Sequence, residues 1–112
     1  MLDGADAIVL TNETANGQHP IIAVTMLAKI CAEAERCINY KEKFNEIRLY
    51  TTSPLGTAEA IASSSVSTVL DLNIDLIITI TDTGSIARLV SKYKPPVPIL
   101  ACSSNNAVIR NM

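Results

Sequence analysis

Leu76-Ile77-Ile78-Thr79-Ile80 is a nearly continuous β-branched run, followed by Thr81-Asp82-Thr83-Gly84-Ser85 and then by Ile86-Ala87-Arg88-Leu89-Val90. An apolar run of this length, rich in branched side chains, predicts a strand covered on both faces, as in a parallel sheet. The small polar residues after it turn the chain, and a helix begins at Ile86. Pro95 and Pro96 must stop that helix, since proline lacks the N–H donor and clashes with the preceding turn. Val97 to Cys102 then offers a second β-branched strand. Strand, helix and strand form a βαβ unit, for which a right-handed crossover is expected. The fold class is therefore α/β.

Outward from this unit the pattern stays helical. Upstream, after Ser53-Pro54-Leu55-Gly56, the apolar residues Ala58, Ile61, Ala62, Val66, Val69 and Leu70 recur at helical spacing, although Ser63, Ser64 and Ser65 weaken the propensity. Their small size predicts close packing. Before them, Tyr40 to Thr52 sets Lys41, Glu42, Lys43, Glu46 and Arg48 around Phe44, Ile47 and Leu49, a short surface helix and the natural domain boundary. From Pro20 to about Asn39, Ala23, Leu27, Ile30, Ala34 and Ile38 form one apolar stripe opposite Thr25, Lys29, Glu33 and Arg36. Ala7-Ile8-Val9-Leu10 reads as a further short strand, joined to that helix by the polar stretch Thr11 to His19. Downstream, Asn105 is placed to cap one more helix. There is no internal repeat or low-complexity tract.

Composition narrows the function classes. With 112 residues and 48% hydrophobic content, the chain can bury one modest core or pieces of two adjoining ones. Nine basic and 11 acidic residues, a net charge of -2, leave no basic stripe for a phosphate backbone, which argues against nucleic acid. The apolar runs fall far short of the ~20 residues a membrane helix needs, and no charged-then-apolar leader opens the sequence, so a cytoplasmic location away from membranes is expected. Cys31, Cys37 and Cys102 form no metal-ligand spacing and no even disulfide set; buried, inert thiols are the expected reading.

Two loops could carry chemistry, both where a strand hands over to a helix, which is where α/β folds bind ligands. In Thr11-Asn12-Glu13-Thr14-Ala15-Asn16-Gly17, hydroxyls, amides and one carboxylate could position a polar ligand. A plain polar connection with Gly17 at positive φ explains the same residues equally well. In Thr81-Asp82-Thr83-Gly84-Ser85, three hydroxyls and a glycine precede a helix start suited to an anion. Asp82 opposes that by like charge, and helix capping by Thr83 or Ser85 is the competing reading. His19 beside Pro20 reads as a helix-entry residue, Asp3 and Asp6 as turn and surface residues, and Lys92-Tyr93-Lys94 as a basic helix end that complements the dipole.

The segment Asp3-Gly4-Ala5-Asp6-Ala7-Ile8-Val9-Leu10-Thr11-Asn12-Glu13-Thr14-Ala15-Asn16-Gly17 resembles a pyruvate kinase segment usually written DGAD-x-x-M-L-S-G-E-T-A-K-G. The likeness continues through Ala32-Glu33-Ala34-Glu35 and through Thr81 to Pro95, where the family shows T-x-[ST]-G-x-[ST]-A-x-L-[VI]-[AS]-K-Y-[RK]-P. The resemblance implies that residues 1–39 are the last strand, loop and helix of a (β/α)8 catalytic barrel. It makes 40–53 a boundary segment and 54–112 part of a doubly wound α/β C-terminal domain that holds effectors and subunit contacts.

It further implies an enzyme that moves the phosphoryl group of phosphoenolpyruvate to ADP in glycolysis, with Mg²⁺ and K⁺, as a homotetramer. No ligands for either cation are assigned in this segment. The family's main catalytic residues lie on earlier barrel strands, so these 112 residues alone are expected to be inactive. By position, Thr11 matches a serine near the substrate in a proton-relay network and is the catalytic candidate. Asn12 replaces a glycine, and Asn16 replaces a lysine near the nucleotide phosphates; loss of that cation should weaken ADP contacts by about 1 kcal/mol. Thr81, Asp82, Thr83, Gly84, Ser85 and Ile86 match a cradle for a sugar-phosphate effector, with Asp82 where lysine is found in effector-responsive members and Ile86 where a hydroxyl is found. A non-catalytic α/β module that binds a phosphorylated effector or a partner subunit is the alternative function.

Overall fold

The computed structural model describes residues 2–111, and its internal contacts divide the chain into two units, residues 1–38 and 39–112.

The first unit contains two helices, α1 (Asn12–Ala15) and α2 (Pro20–Arg36). Pro20 opens α2, where its missing N–H costs nothing. The half-buried positions of this helix are Ala23, Leu27, Cys31 and Ala34, continued by Ile38 beyond its end. Cys31 thus occupies the place in the stripe expected for Ile30, which is 56% exposed. The difference is geometric: a step of four from Leu27 stays closer to the helical repeat on this face than a step of three. Ala7–Leu10 forms no strand. A strand exists only through ladder hydrogen bonds to a neighbour, and none of the described residues supplies one to this run.

The second unit is a layered α/β arrangement. It comprises α3 (Tyr40–Tyr50), α4 (Thr57–Leu72), β1 (Ile77–Ile80), α5 (Ser85–Lys92), β2 (Ile99–Cys102) and α6 (Asn106–Arg110). β1 and β2 pair in parallel with Ile77 opposite Ile99 and Ile80 opposite Cys102, and α5 makes the crossover between them. Thr81 extends the ladder by donating its N–H to the Cys102 carbonyl at 2.9 Å.

Helix ends follow their local chemistry. Asn39 caps α3 by accepting from the Glu42 N–H at 3.3 Å, and Asn105 caps α6 by accepting from the Ala107 N–H at 3.0 Å. Asn73 ends α4 in the left-handed region at φ 50°, which asparagine tolerates better than most residues.

The core of this unit joins Phe44, Ala62, Val66, Val69, Ile77, Val90 and Tyr93. On α4 the buried positions include Ser63, while Ile61, expected in the stripe, faces out. On α3, Phe44 is buried and Ile47 packs against the core, but Leu49 is exposed, so the helix is more than a surface element. β1 is buried on alternate residues: Ile77 and Thr79 face the core, whereas Ile78 and Ile80 are exposed. The expected burial on both faces is therefore met on one, because the core residues pack on that side and no second layer is drawn from the described residues. The thiols also depart from expectation. Cys37 and Cys102 are exposed and Cys31 is half-buried, all three free. Cys102 faces out because it continues, across the ladder from Ile80, the uncovered side of the sheet.

Candidate functional site

The loop after Ala7–Leu10 is not irregular. Asn12 to Ala15 winds into one helical turn, closed by the Ala15 and Asn16 N–H groups donating at 2.9 Å to the carbonyls of Thr11 and Asn12 respectively. Thr11 is exposed at its N-cap, with its hydroxyl 3.5 Å from a Glu13 carboxylate oxygen, and the Thr14 hydroxyl donates to the Thr11 carbonyl at 3.0 Å. Asn12 and Asn16 stand four residues apart, one turn of helix, and both are exposed. The turn therefore presents a hydroxyl, a carboxylate and two amides to solvent within six residues.

Gly17 serves this turn for a reason that the sequence did not reveal. It is absent from the glycines with positive φ, so the expected left-handed conformation is not its role. A Cβ at Gly17 would instead lie 2.2 Å from the Glu13 carbonyl oxygen and 2.9 Å from its carbon. Only glycine lets the chain pass so close to the helical turn. His19, set apart as a helix-entry residue, occupies the N-cap of α2 without a side-chain cap bond.

In the second unit, the loop from Thr81 to Ser85 is pinned from within. Thr81 is buried, and its hydroxyl oxygen accepts from the Gly84 N–H at 3.0 Å. Gly84 is the N-cap of α5, at φ 79°, and the helix start has no side-chain cap bond. Neither Thr83 nor Ser85 is thus the cap residue, because the left-handed turn at Gly84 carries the chain into the helix. Thr83 still takes the Ser85 N–H at 3.4 Å, and the two hydroxyls are bonded at 2.9 Å. Arg88 reaches back from the first turn to donate to the Thr83 carbonyl at 3.3 Å, a contact that no sequence pattern announced. Asp82, Thr83 and Ser85 are exposed at the tip. Ile86 packs against the core instead, so its side chain belongs to the foundation of the loop.

At the other end of α5, Lys92 and Tyr93 converge on Glu59, in the first turn of α4. Lys92 Nζ donates to Glu59 Oε1, and the Tyr93 hydroxyl donates to the same oxygen at 3.3 Å. The Lys92 hydrogen bond, helped by its charge, holds the Glu59 carboxyl below its ordinary value, and the same bond holds the Lys92 ammonium above its own. Read from the sequence, Lys92 only complemented a helix dipole; a partner 33 residues away leaves no local pattern to read. Beside this clasp lies a cleft of about 420 Å³, lined by Lys43, Glu46, Tyr50, Thr51, Glu59 and Lys92 among others. Lys43 pairs with Glu46 at 2.8 Å on its rim.

Among the described residues no three His, Cys, Asp or Glu side chains gather to hold a metal ion, and no helix is long and apolar enough to cross a membrane.

Residues 59–112 match the family model described as pyruvate kinase, alpha/beta domain. The chain is 43% identical, over all of its 112 residues, to pyruvate kinase of Eimeria tenella, of which it covers 21%. It is 44% identical over 101 residues to a probable cytosolic isozyme of pyruvate kinase from Arabidopsis thaliana, covering 90% of this chain and 20% of that one. A crystal structure of pyruvate kinase from Cryptosporidium parvum superposes with a TM-score of 0.89 at 46% identity, over 97% of this chain and 22% of that one. The Cryptosporidium parvum enzyme in complex with ADP superposes with a TM-score of 0.83. The chain thus spans about a fifth of the length of the relatives it matches. Family model, sequence relatives and solved structures agree, and the chain belongs to the pyruvate kinase family.

Proposed function

We propose that these residues serve a pyruvate kinase, an enzyme that transfers the phosphoryl group of phosphoenolpyruvate to ADP, and that they have no such activity alone. In this reading residues 1–39 are the closing βα unit of the catalytic barrel, 40–53 the boundary, and 54–112 part of the regulatory α/β domain. The observation that carries it is the exposed turn at Thr11–Gly17, built around a family motif and ordered by the close passage of Gly17 over Glu13. Thr11 stands exposed at the N-cap with its hydroxyl turned to the Glu13 carboxylate, a placement that suits proton traffic near a bound substrate. Asn12 and Asn16 are the nucleotide-proximal groups, offering amide hydrogen bonds where the family has glycine and lysine. ADP as the acceptor nucleotide is supported by the Cryptosporidium parvum relative solved with it.

The loop of Thr81, Asp82, Thr83, Gly84, Ser85 and Ile86 is the effector cradle in this reading, altered in what it accepts. Asp82 places a carboxylate at the exposed tip, and Ile86 withdraws its side chain into the core. A sugar phosphate is disfavoured there by like charge. Mg²⁺ and K⁺, which the family chemistry calls for, are assigned to residues other than these, and the homotetramer and cytosolic setting belong to the whole enzyme.

The test is a chimera in which this chain replaces the matching fifth of a pyruvate kinase. Phosphoenolpyruvate-dependent ATP formation is expected from the chimera and not from the 112-residue chain. Thr11→Ala in the chimera should lower kcat by roughly 10²-fold, the low end for a positioned proton carrier, while Thr11→Ser retains most of it. Activity in the isolated chain, or a Thr11→Ala chimera as fast as its parent, overturns the corresponding part of the reading.

A further inference from the structure

We draw no further inference here: the strongest candidate, the cleft between the C-terminal part of α3, the first turn of α4 and the end of α5, has its two lysines, Lys43 and Lys92, already neutralised by Glu46 and Glu59 on its own walls, so nothing in it selects a ligand.

Discussion

Replacing Phe44 with alanine should strip residues 39–112 of much of their stability, because this side chain ties α3 to the rest of the unit. Phe44 is 3% exposed, and its ring centroid lies 5.8 Å from that of Tyr93, which is fully buried, with the planes at 57°. Truncating a buried phenylalanine to alanine costs about 3–5 kcal/mol, through lost transfer energy and the cavity left behind. The tilted ring pair accounts for roughly 0.5–1.5 kcal/mol of that. At ~0.05–0.15 kcal/mol per residue, a unit of this size is stable by about 4–11 kcal/mol. Phe44→Ala therefore removes a large share of the total. Phe44→Leu keeps most of the apolar area, loses the ring pair, and should cost about 1 kcal/mol. Equilibrium urea unfolding followed by helical circular dichroism reads both, with the midpoint falling and the slope unchanged. A Phe44→Ala midpoint equivalent to less than about 0.5 kcal/mol of loss refutes the placement of α3 in this core, since surface substitutions stay within that range. A double-mutant cycle with Tyr93→Leu that shows no coupling refutes the ring pair itself.

Gly17→Ala should unwind α1, because its Cβ meets the Glu13 backbone; amide chemical shifts of residues 12–17 should move while the urea midpoint of residues 39–112 does not. Gly84→Ala forces a Cβ into the left-handed region and should cost the second unit about 1–2 kcal/mol in the same urea assay, with Gly84→Asn costing less. Glu59 has a lowered carboxyl in the folded chain, so its contribution is present above the ordinary value of 4.5 and is lost as pH falls through the folded one. The Lys92 contribution is present below 10.5 and is lost as pH rises past its raised value. Glu59→Gln should therefore flatten the acid limb of urea midpoint against pH, and an unchanged acid limb would exclude the clasp as its source.

The βαβ unit was open to reading because its signals are local. A β-branched run, a glycine turn and a proline pair each restrict the backbone without help from distant residues, and β1, α5 and β2 lie where those signals placed them. The caps at Asn105 and the start of α2 at Pro20 are of the same kind. What escaped reading depends on partners. Ala7–Leu10 has the composition of a strand but no neighbour among the described residues to bond with. Whether Ile30 or Cys31 lines α2 turns on a rotation of one residue about the helix axis, and whether Ile61 or Ser63 faces inward on α4 turns on which edge of the stripe around Ala62 is covered; hydrophobicity alone fixes neither. In the candidate sites, the residue types and loop positions were legible. The steric need for Gly17, the bond from Arg88 to Thr83 and the clasp on Glu59 are properties of three-dimensional approach.

The uncovered side of the sheet has a practical consequence for the isolated chain. Ile78, Ile80 and Leu100 stand together there, with Ile80 84% exposed, and β1 is a short uncharged strand in a sheet that has two strands among the described residues, so each strand also leaves one edge unpaired by them. Such a surface templates stacking between molecules. Purified alone, the chain should become less soluble as its concentration rises, and a lysine in place of Ile80 should act as a gatekeeper that keeps it in solution without touching the buried side of the strand.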